Sequence, residues 1–283
     1  MTNRDPIKNS PIDKHHAGGP DAQPGKRGAL LTGCAGWTVP REAAAAFPPE
    51  GSHLERYAAV FDVVEINSSF YRPHQSATYA RWADSVPERF RFSVKLPQTM
   101  THDARLAGVE EQLDRFAQEA GALGSKLGCI LVQLPPKLGF DAAIADDFFA
   151  RLGGAFGCTI ACEARHPEWF ADEATALLQR RGVTRVIADP AKGQPGPHVP
   201  TTATIYTRLH GAPRVYYSSY EAAYLAQLAE DMATHARHGR TVWCIFDNTA
   251  SGAAVPNALA VQQALHAADG GVLRPAPTPG LPA

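Results

Sequence analysis

The stretch Cys129–Leu134 reads CILVQL, and two prolines, Pro135 and Pro136, follow it directly. A short, almost wholly apolar run that stops at proline is typical of a strand buried on both faces, as the strands of a parallel sheet are. Seven more runs of similar length lie along the chain, and most of them end at Gly, Pro, Asp or Asn. Working outward, these runs are Thr159–Glu163, Thr184–Ala188, Thr204–Leu209 and Val242–Asp247 on the C-terminal side, and Arg91–Leu96, Val63–Asn67 and Ala29–Gly33 on the N-terminal side.

Helical patterns separate most of these runs. In Val109–Leu123, apolar residues recur every three or four positions, which is the spacing of one helix face. Asp141 is placed to cap a helix over Ala142–Leu152, and Pro256 opens another over Pro256–Ala268, at a position where proline is favoured. Further helices are predicted over Ser76–Ser85, Glu168–Arg181 and Ser219–His238.

Strands that alternate with helices imply a parallel α/β sheet, and eight such units of about thirty residues predict a closed (β/α)8 barrel of the TIM type. The alternative is an open, doubly wound sheet. Residues 189–203 contain four prolines, so the sixth crossover is predicted to be an irregular loop rather than a helix. We expect one barrel domain over residues 29–270, between a disordered arm (1–28) and a disordered, Pro-rich tail (271–283).

Composition limits the classes of function. The chain has 283 residues, of which 45% are hydrophobic, and its formal net charge is −1. A near-neutral protein is unlike one whose whole surface binds nucleic acid or an anionic membrane. No apolar run approaches the roughly 20 residues of a membrane span, and the polar N-terminus has no signal-peptide pattern, so a cytoplasmic protein is expected.

The five cysteines form no CxxC pair and fit small buried side chains in a reducing compartment. Cys34 is the exception, because it follows a strand within Gly33–Trp37. There it is a candidate thiol nucleophile.

Polar side chains gather at the C-terminal ends of the predicted strands, whereas the opposite ends are mostly apolar. Residues two apart on a strand share a face, so these side chains are predicted to meet at one rim of the barrel, where active sites of this fold lie. Burying several charges there costs free energy unless they pair with one another or bind a ligand. The catalytic candidates are Glu65 and Glu163 as base and acid, Lys95 as a stabiliser of negative charge, and His210 as a proton shuttle.

The remaining polar and aromatic residues of this rim are predicted to bind a substrate. Guanidinium groups suit an anion, and aromatic rings can stack on a sugar or base, although ordinary loop packing also explains them. The loop 248–252, before the last helix, is either an anion-binding turn or a plain capped turn. The substrate-binding candidates are Asn67, Tyr71, Gln133, Arg165, His166, Trp169, Arg208, Asp247 and Asn248.

Three classes of function remain open from the residues alone. An enzyme acting on a small anionic or sugar-like substrate is favoured over a nucleic-acid-binding module and over a non-catalytic metabolite-binding protein. No cofactor is predicted. A divalent metal held by Glu65, Glu163, His210 and Asp247 is a weaker alternative, because neither HxH nor HExxH occurs and nearby cations would oppose it. The oligomeric state is not predicted.

Seven segments, in order, resemble the YecE-like family of barrels, domain of unknown function 72 (DUF72). The resemblance covers about residues 29–265 and implies a TIM-type barrel without an established activity. Ala164 stands where the family usually has an aromatic residue, and Asp247 where it usually has asparagine. Ser69, Phe70, Thr101, His102 and Gly211 are further family-typical positions. The segments are GCAGW (33–37), VEINSSFYRP (64–73), FSVKLPQTMTH (92–102), KLGCILVQLPP (126–136), CEARHPEW (162–169), RLHG (208–211) and FDN (246–248).

Overall fold

The computed structural model describes Ile12 and residues 27–268. Within this part of the chain, nine parallel strands form one sheet in the order β6-β5-β4-β3-β2-β1-β9-β8-β7. This order follows the chain around a nearly closed barrel, so the predicted (β/α)8-type fold is confirmed and the open doubly wound sheet is wrong. The strands are β1 Leu30–Ala35, β2 Val63–Ile66, β3 Arg91–Lys95, β4 Leu127–Gln133, β5 Thr159–Glu163, β6 Val183–Arg185, β7 Ile187–Asp189, β8 Ile205–Leu209 and β9 Val242–Phe246.

The ninth strand arises because the sixth barrel strand is broken in two. β6 pairs with β5, β7 pairs with β8, and Val186 alone separates them. The backbone N–H of Val186 still donates to Cys162 O at 2.9 Å. The predicted run Thr184–Ala188 therefore occupies one strand position of the barrel. Its first half pairs with β5 and its second half pairs with β8. The connection from β7 to β8 contains no helix, which confirms the irregular sixth crossover.

Helices cover the outside of the barrel. The Asp141 cap is confirmed, since its Oδ1 accepts from Ala143 N and Ile144 N at 3.0 Å each. In the described residues the α-helices are α1 His53–Val60, α2 Ser68–Tyr71, α3 Ser76–Asp84, α4 Glu110–Ala120, α5 Ala142–Ala155, α6 Asp172–Arg180, α7 Ala222–Arg237 and α8 Ala254–Ala268. Shorter 3-10 or π segments occupy Arg41–Ala46, Thr99–Asp103, Gly121–Lys126 and Pro167–Phe170.

Two helix predictions need correction, and two helices, α1 and the short α2, were not predicted. The predicted helix Glu168–Arg181 is interrupted at Ala171, which is extended (φ −68°, ψ 163°) and precedes α6. Pro256 lies in the first turn of α8 but does not open it. Helix α1 begins with a capping box, in which the Ser52 side chain accepts from Glu55 N and the Glu55 side chain accepts from Ser52 N.

The inside of the barrel has two layers. Toward the N-terminal ends of the strands, Val63, Leu131, Ala161 and Trp243 pack with other apolar side chains. Two residues further along β2, β4 and β5, the side chains of the same face are polar, namely Glu65, Gln133 and Glu163. The larger apolar core fills the space between the sheet and the helices. The sequence thus builds an apolar floor and places a polar layer above it, at the mouth.

None of the described helices combines the length and the apolar character that crossing a membrane requires. Apart from Ile12, which is buried in the core, and residues 27–28, the predicted arm (1–28) lies outside the described residues, as does the predicted tail (271–283).

Candidate active site at the barrel mouth

Arg208, near the end of β8, lies at the centre of the polar layer and is fully buried. Its Nη2 donates to Glu65 Oε1 at 2.7 Å and to Asp247 Oδ2 at 2.9 Å, and its Nε donates to Glu65 Oε2 at 3.0 Å. Its Nη1 donates to Glu163 Oε2. A planar guanidinium can serve three carboxylates at once because its donors point outward in a fixed fork. One cation therefore joins acids from β2, from β5 and from the loop after β9.

Two hydroxyl groups, linked in a chain, hold Glu65 in place. Tyr206 Oη donates to Glu65 Oε2 at 3.1 Å, and Ser93 Oγ lies 2.7 Å from Tyr206 Oη. Both oxygens of Glu65 are thus engaged and its side chain has no exposed surface. This geometry suits a fixed negative charge that orients Arg208. The proposed role of Glu65 as a base stays a prediction.

His210 lies between two carboxylates at the edge of this layer. Its Nδ1 is 3.0 Å from Asp247 Oδ2, and its Nε2 is 3.4 Å from Glu163 Oε1. Burial by itself lowers the pKa of His210, but the charge of Glu163 and the hydrogen bonds with Asp247 and Glu163 outweigh it and raise the pKa above its usual range. The protonated imidazole is therefore more stable here than in a free histidine.

The two acids beside His210 are held ionised. Burial alone raises the pKa of Glu163, but Arg208, His210 and Arg165 together bring it well below its usual range. The pKa of Asp247 is also lowered, because Arg208 and His210 overcome the effect of burial. A carboxylate in this state accepts protons poorly and has none to donate at neutral pH. The geometry thus favours His210 over Glu163 as the proton donor.

Lys95, the last residue of β3, is 6% exposed. Its Nζ lies 4.0 Å from the centre of the Phe70 ring, in a cation–π contact. Burial, and next the charge of Arg208, lower the pKa of Lys95 to about 8. A lysine with such a pKa carries a useful fraction of neutral amine near neutral pH.

A cleft of about 250 Å³, including its opening to solvent, lies beside the buried layer. Arg165 reaches into it while its Nε and Nη2 donate to Glu163 Oε1 at 2.8 and 2.6 Å. Lys192, from the irregular sixth crossover, adds a second cation that no strand-end pattern marks in the sequence. The cleft is lined by Glu163, Ala164, Arg165, Ala188, Pro190, Lys192, His210, Val215 and Tyr216.

Three more predicted ligand-binding residues lie at the polar layer or above it. Asn67 Nδ2 donates to Asp247 Oδ1 at 3.3 Å. Gln133 ends β4 in register with Glu163. Tyr71 is 72% exposed and meets the Phe70 ring edge-on, so it is accessible from solvent.

Other predicted residues have structural partners instead. Trp169 is buried and its Nε1 donates to Leu138 O at 3.0 Å, so its indole does not face the cleft. His166 Nδ1 accepts from Glu168 N at the start of a 3-10 turn.

Asn248 joins two loops behind the site. It is fully buried, and its Nδ2 donates to Ser218 O and to Asn257 Oδ1, at 2.9 Å in both cases. These contacts hold the loop after β8 against α8, so Asn248 positions the mouth, and its role in binding a substrate stays a prediction.

The alternative site at residues 248–252 is a plain turn in the structure. Ala250 N donates to Tyr216 O at 3.0 Å, and Gly252 N donates to Thr249 O at 3.1 Å. These two amides are already engaged within the protein, as in a plain capped turn.

The thiol of Cys34 does not suit the alternative role of nucleophile. The residue is 1% exposed, and burial raises the pKa of its thiol to about 12. Since the thiolate is the reactive form, Cys34 acts as a core residue.

The donor set of the mouth is organised around a guanidinium. Across the described residues, no group of three or more His, Cys, Asp and Glu side chains is arranged to hold a metal ion. Glu65, Glu163 and Asp247 instead converge on Arg208, which stands where a shared cation would.

Comparisons with known proteins agree with the fold. The chain matches the family described as "Protein of unknown function DUF72" over residues 31–281. It is 33% identical over 142 residues to UPF0759 protein YecE of Escherichia coli (strain K12), which covers 48% of this chain and 52% of YecE. It is 26% identical over 160 residues to UPF0759 protein YunF of Bacillus subtilis, covering 50% and 55%. The chain thus spans about half the length of the curated relatives it matches.

Solved structures share the architecture. A DUF72 family protein from Enterococcus faecalis superposes with a TM-score of 0.70 at 24% identity, covering 84% of this chain and 95% of that one. A DUF72 family protein from Thermotoga maritima gives a TM-score of 0.70 at 23% identity, covering 84% and 99%. Because the family match extends over most of the chain, this protein belongs to the DUF72 family.

Proposed function

We propose that the barrel mouth binds a small anionic substrate, a carboxylate or a sugar phosphate, and moves a proton on it by general acid–base catalysis. The observation that carries the proposal is the arrangement of His210. Its imidazole lines a small cleft, buried between the carboxylates of Glu163 and Asp247 and beside the cations Arg165 and Lys192.

The cations of the cleft supply the binding part of the proposal. Arg165 keeps two of its nitrogen atoms on Glu163, which fixes the plane of the guanidinium in advance. A pre-oriented guanidinium binds a carboxylate or phosphate in two-point fashion with little further loss of side-chain freedom. Lys192 faces the same space.

The proton relay supplies the chemical part. His210 donates a proton to the bound substrate, and Asp247 and Glu163 stabilise the imidazolium before transfer and its re-formation afterwards. Glu65 and Arg208 keep these groups in place without contacting the substrate. The cleft is small, about 250 Å³ even with its opening to solvent included, which is why a small substrate is proposed.

The experiment is a thermal-shift screen of small carboxylates, phosphates and sugar phosphates against matched neutral polyols, followed by proton NMR of the stabilising compounds incubated with enzyme. We expect an anion to raise the melting temperature and to be converted, or to exchange a carbon-bound proton with solvent. Arg165→Gln should remove the stabilisation.

Arg151→Gln is the matched control, because Arg151 is an exposed arginine that pairs with Asp147 on α5, on the outer layer. This variant should behave as wild type. If anions and neutral polyols stabilise equally, or Arg165→Gln and Arg151→Gln respond alike, the proposed binding site is refuted. Stabilisation without any conversion or exchange would leave a binding protein in place of an enzyme.

A further inference from the structure

We propose that Lys95 is a nucleophilic amine that forms an imine with the carbonyl carbon of the substrate, so that the substrate class is an anionic aldehyde or ketone. This inference rests on the proposed function, because it names the substrate of the same site. It assigns to Lys95 a covalent step that electrostatic stabilisation alone does not require.

The position of Lys95 on its strand aims it at the mouth. Ser93, two residues earlier on β3, points into the barrel, where its Oγ lies 2.7 Å from Tyr206 Oη. Lys95 shares that inward face and stands one step closer to the open end. Its ammonium group is close enough to Arg208, Glu65, Asp247 and Glu163 for their charges to act on it.

The side chain of Lys95 is largely buried, and its ammonium has no anchor. Within the part of the chain that the structure describes, its Nζ makes neither a hydrogen bond nor an ion pair, and its contact is the face of Phe70. Lys126 shows the contrast, since its Nζ donates to Ala83 O at 2.6 Å and to Val86 O at 2.7 Å. A buried ammonium that is not paired costs stability, so its presence at a mouth calls for a role.

The surroundings make Lys95 easier to deprotonate than a free lysine. Burial and the nearby guanidinium of Arg208 disfavour a positive charge at Nζ and outweigh the opposing charges of Glu65, Asp247 and Glu163, so the pKa of Lys95 falls to about 8. Desolvation beside another cation is a general way to activate lysine as a nucleophile. The contact with the Phe70 ring holds Nζ in position without taking up a hydrogen bond.

The neutral amine of Lys95 attacks the carbonyl carbon and forms a C–N bond, and the electron pair of the C=O bond moves to oxygen. One proton passes from nitrogen to that oxygen, and His210 donates a second, so that the C–O bond breaks and oxygen leaves as water. The product is a protonated imine, whose positive charge withdraws electrons from the neighbouring carbon and acidifies its C–H bond. Hydrolysis reverses each step and returns the proton to His210.

The test is reductive trapping on the full-length protein. Pyruvate and dihydroxyacetone phosphate serve as probes, one carrying a carboxylate and the other a phosphate, and borohydride reduces any imine to a stable amine. We expect one adduct per chain with at least one probe, mapped by peptide mass spectrometry to Lys95. Whichever probe traps better identifies the preferred anion.

Lys95→Met and Lys95→Arg should form no adduct, with circular dichroism confirming that each variant is folded. Lys137→Met, which changes an exposed lysine, should form it like wild type. An adduct spread over surface lysines, or one that persists in Lys95→Met, overturns the inference.

The thermal-shift screen separates the two claims. If the probes raise the melting temperature of wild type but not of Arg165→Gln, and no adduct forms between about pH 7 and pH 9, the anion site stands and the imine is refuted. If the probes give neither stabilisation nor adduct, both proposals fail for this class of substrate.

Discussion

Arg208 shows how one side chain can organise a whole buried layer. Glu65, Glu163 and Asp247 are each tolerated inside the barrel because its guanidinium neutralises and hydrogen-bonds them. Such clusters contribute little net stability when intact, but the loss of one partner leaves the others uncompensated. Removing Arg208 should therefore cost far more stability than the intact cluster contributes.

Arg208→Met should lower the free energy of unfolding by about 3–5 kcal/mol, because three carboxylates would remain buried without their cation. Arg208→Lys should not restore it, since a single ammonium cannot reach the three acids in the same geometry. Urea unfolding followed by circular dichroism measures both. Arg151→Met, at an exposed position, is the control and should stay within about 0.5 kcal/mol of wild type. An Arg208→Met protein as stable as this control would contradict the account.

Asp247→Asn should lower the pKa of His210. The carboxylate of Asp247 accepts from His210 Nδ1 and stabilises the imidazolium, whereas an amide keeps a hydrogen bond but not the charge. NMR titration of the histidine ring protons gives the value directly. Since Glu163 remains, the pKa of His210 should fall only part of the way to its usual value. An unchanged or raised pKa would show that Asp247 does not set the protonation of His210.

Lys95→Met should stabilise the protein near neutral pH, by about 3 kcal/mol, since one unit of pKa corresponds to about 1.4 kcal/mol and the folded and free pKa values of Lys95 lie about 2.5 apart. In the folded wild type the pKa of Lys95 is about 8, against 10.5 for the free side chain. Between those values the unfolded chain binds more protons, so wild-type stability from this group rises with pH. The advantage of Lys95→Met should therefore shrink steadily above about pH 8. Urea unfolding from about pH 7 to pH 9.5 tests this, and a variant that is less stable at pH 7 contradicts it.

At the scale of elements, apolar runs were sufficient to predict the strands. A run such as Cys129–Leu134 must be buried on both faces, which leaves few other structures open to it. The break at Val186 was not predictable. One half of the sixth strand pairs with β5 and the other half with β8, and these two pairings exist only in the assembled barrel.

The helices were predicted less accurately than the strands. Helix α1 spans only eight residues, too few for a repeating apolar pattern, although its capping box was visible in the sequence as Ser52 and Glu55. The break at Ala171 has no breaker residue to mark it, so the sequence predicted one continuous helix there.

Asp141→Ala should cost about 1 kcal/mol of unfolding free energy, because the side chain satisfies two backbone amides at the start of α5. Asp147→Ala on the same helix removes only an exposed pair with Arg151 and should cost about 0.3–0.5 kcal/mol. Equal losses for the two variants in urea unfolding would argue against the cap.

For the whole molecule, the division of the barrel interior into an apolar floor and a charged mouth was predictable from strand-end residues, and the structure brings Glu65, Glu163, Arg208, His210 and Asp247 together. The pairing of these charged side chains with one another was not predictable. Arg208 lies 143 positions from Glu65, and only the closed barrel decides that its guanidinium serves three acids while Arg165 is left to line the cleft. Trp169 and Asn248 lie behind the cleft for the same reason: their loops fold inward on partners that the local sequence does not show.

The central claim is that the positively charged side chains of the barrel mouth bind an anion. Calorimetric titration with sulfate tests this claim most directly. Sulfate keeps the same charge between about pH 6 and pH 9, so any change in its affinity at constant ionic strength reports on the protein. We predict saturable binding at one site near pH 6, weaker binding near pH 9 as His210 and Lys95 lose their protons, and loss of binding in Arg165→Gln. Absence of saturable binding near pH 6, or equal affinity in wild type and Arg165→Gln, would contradict the account.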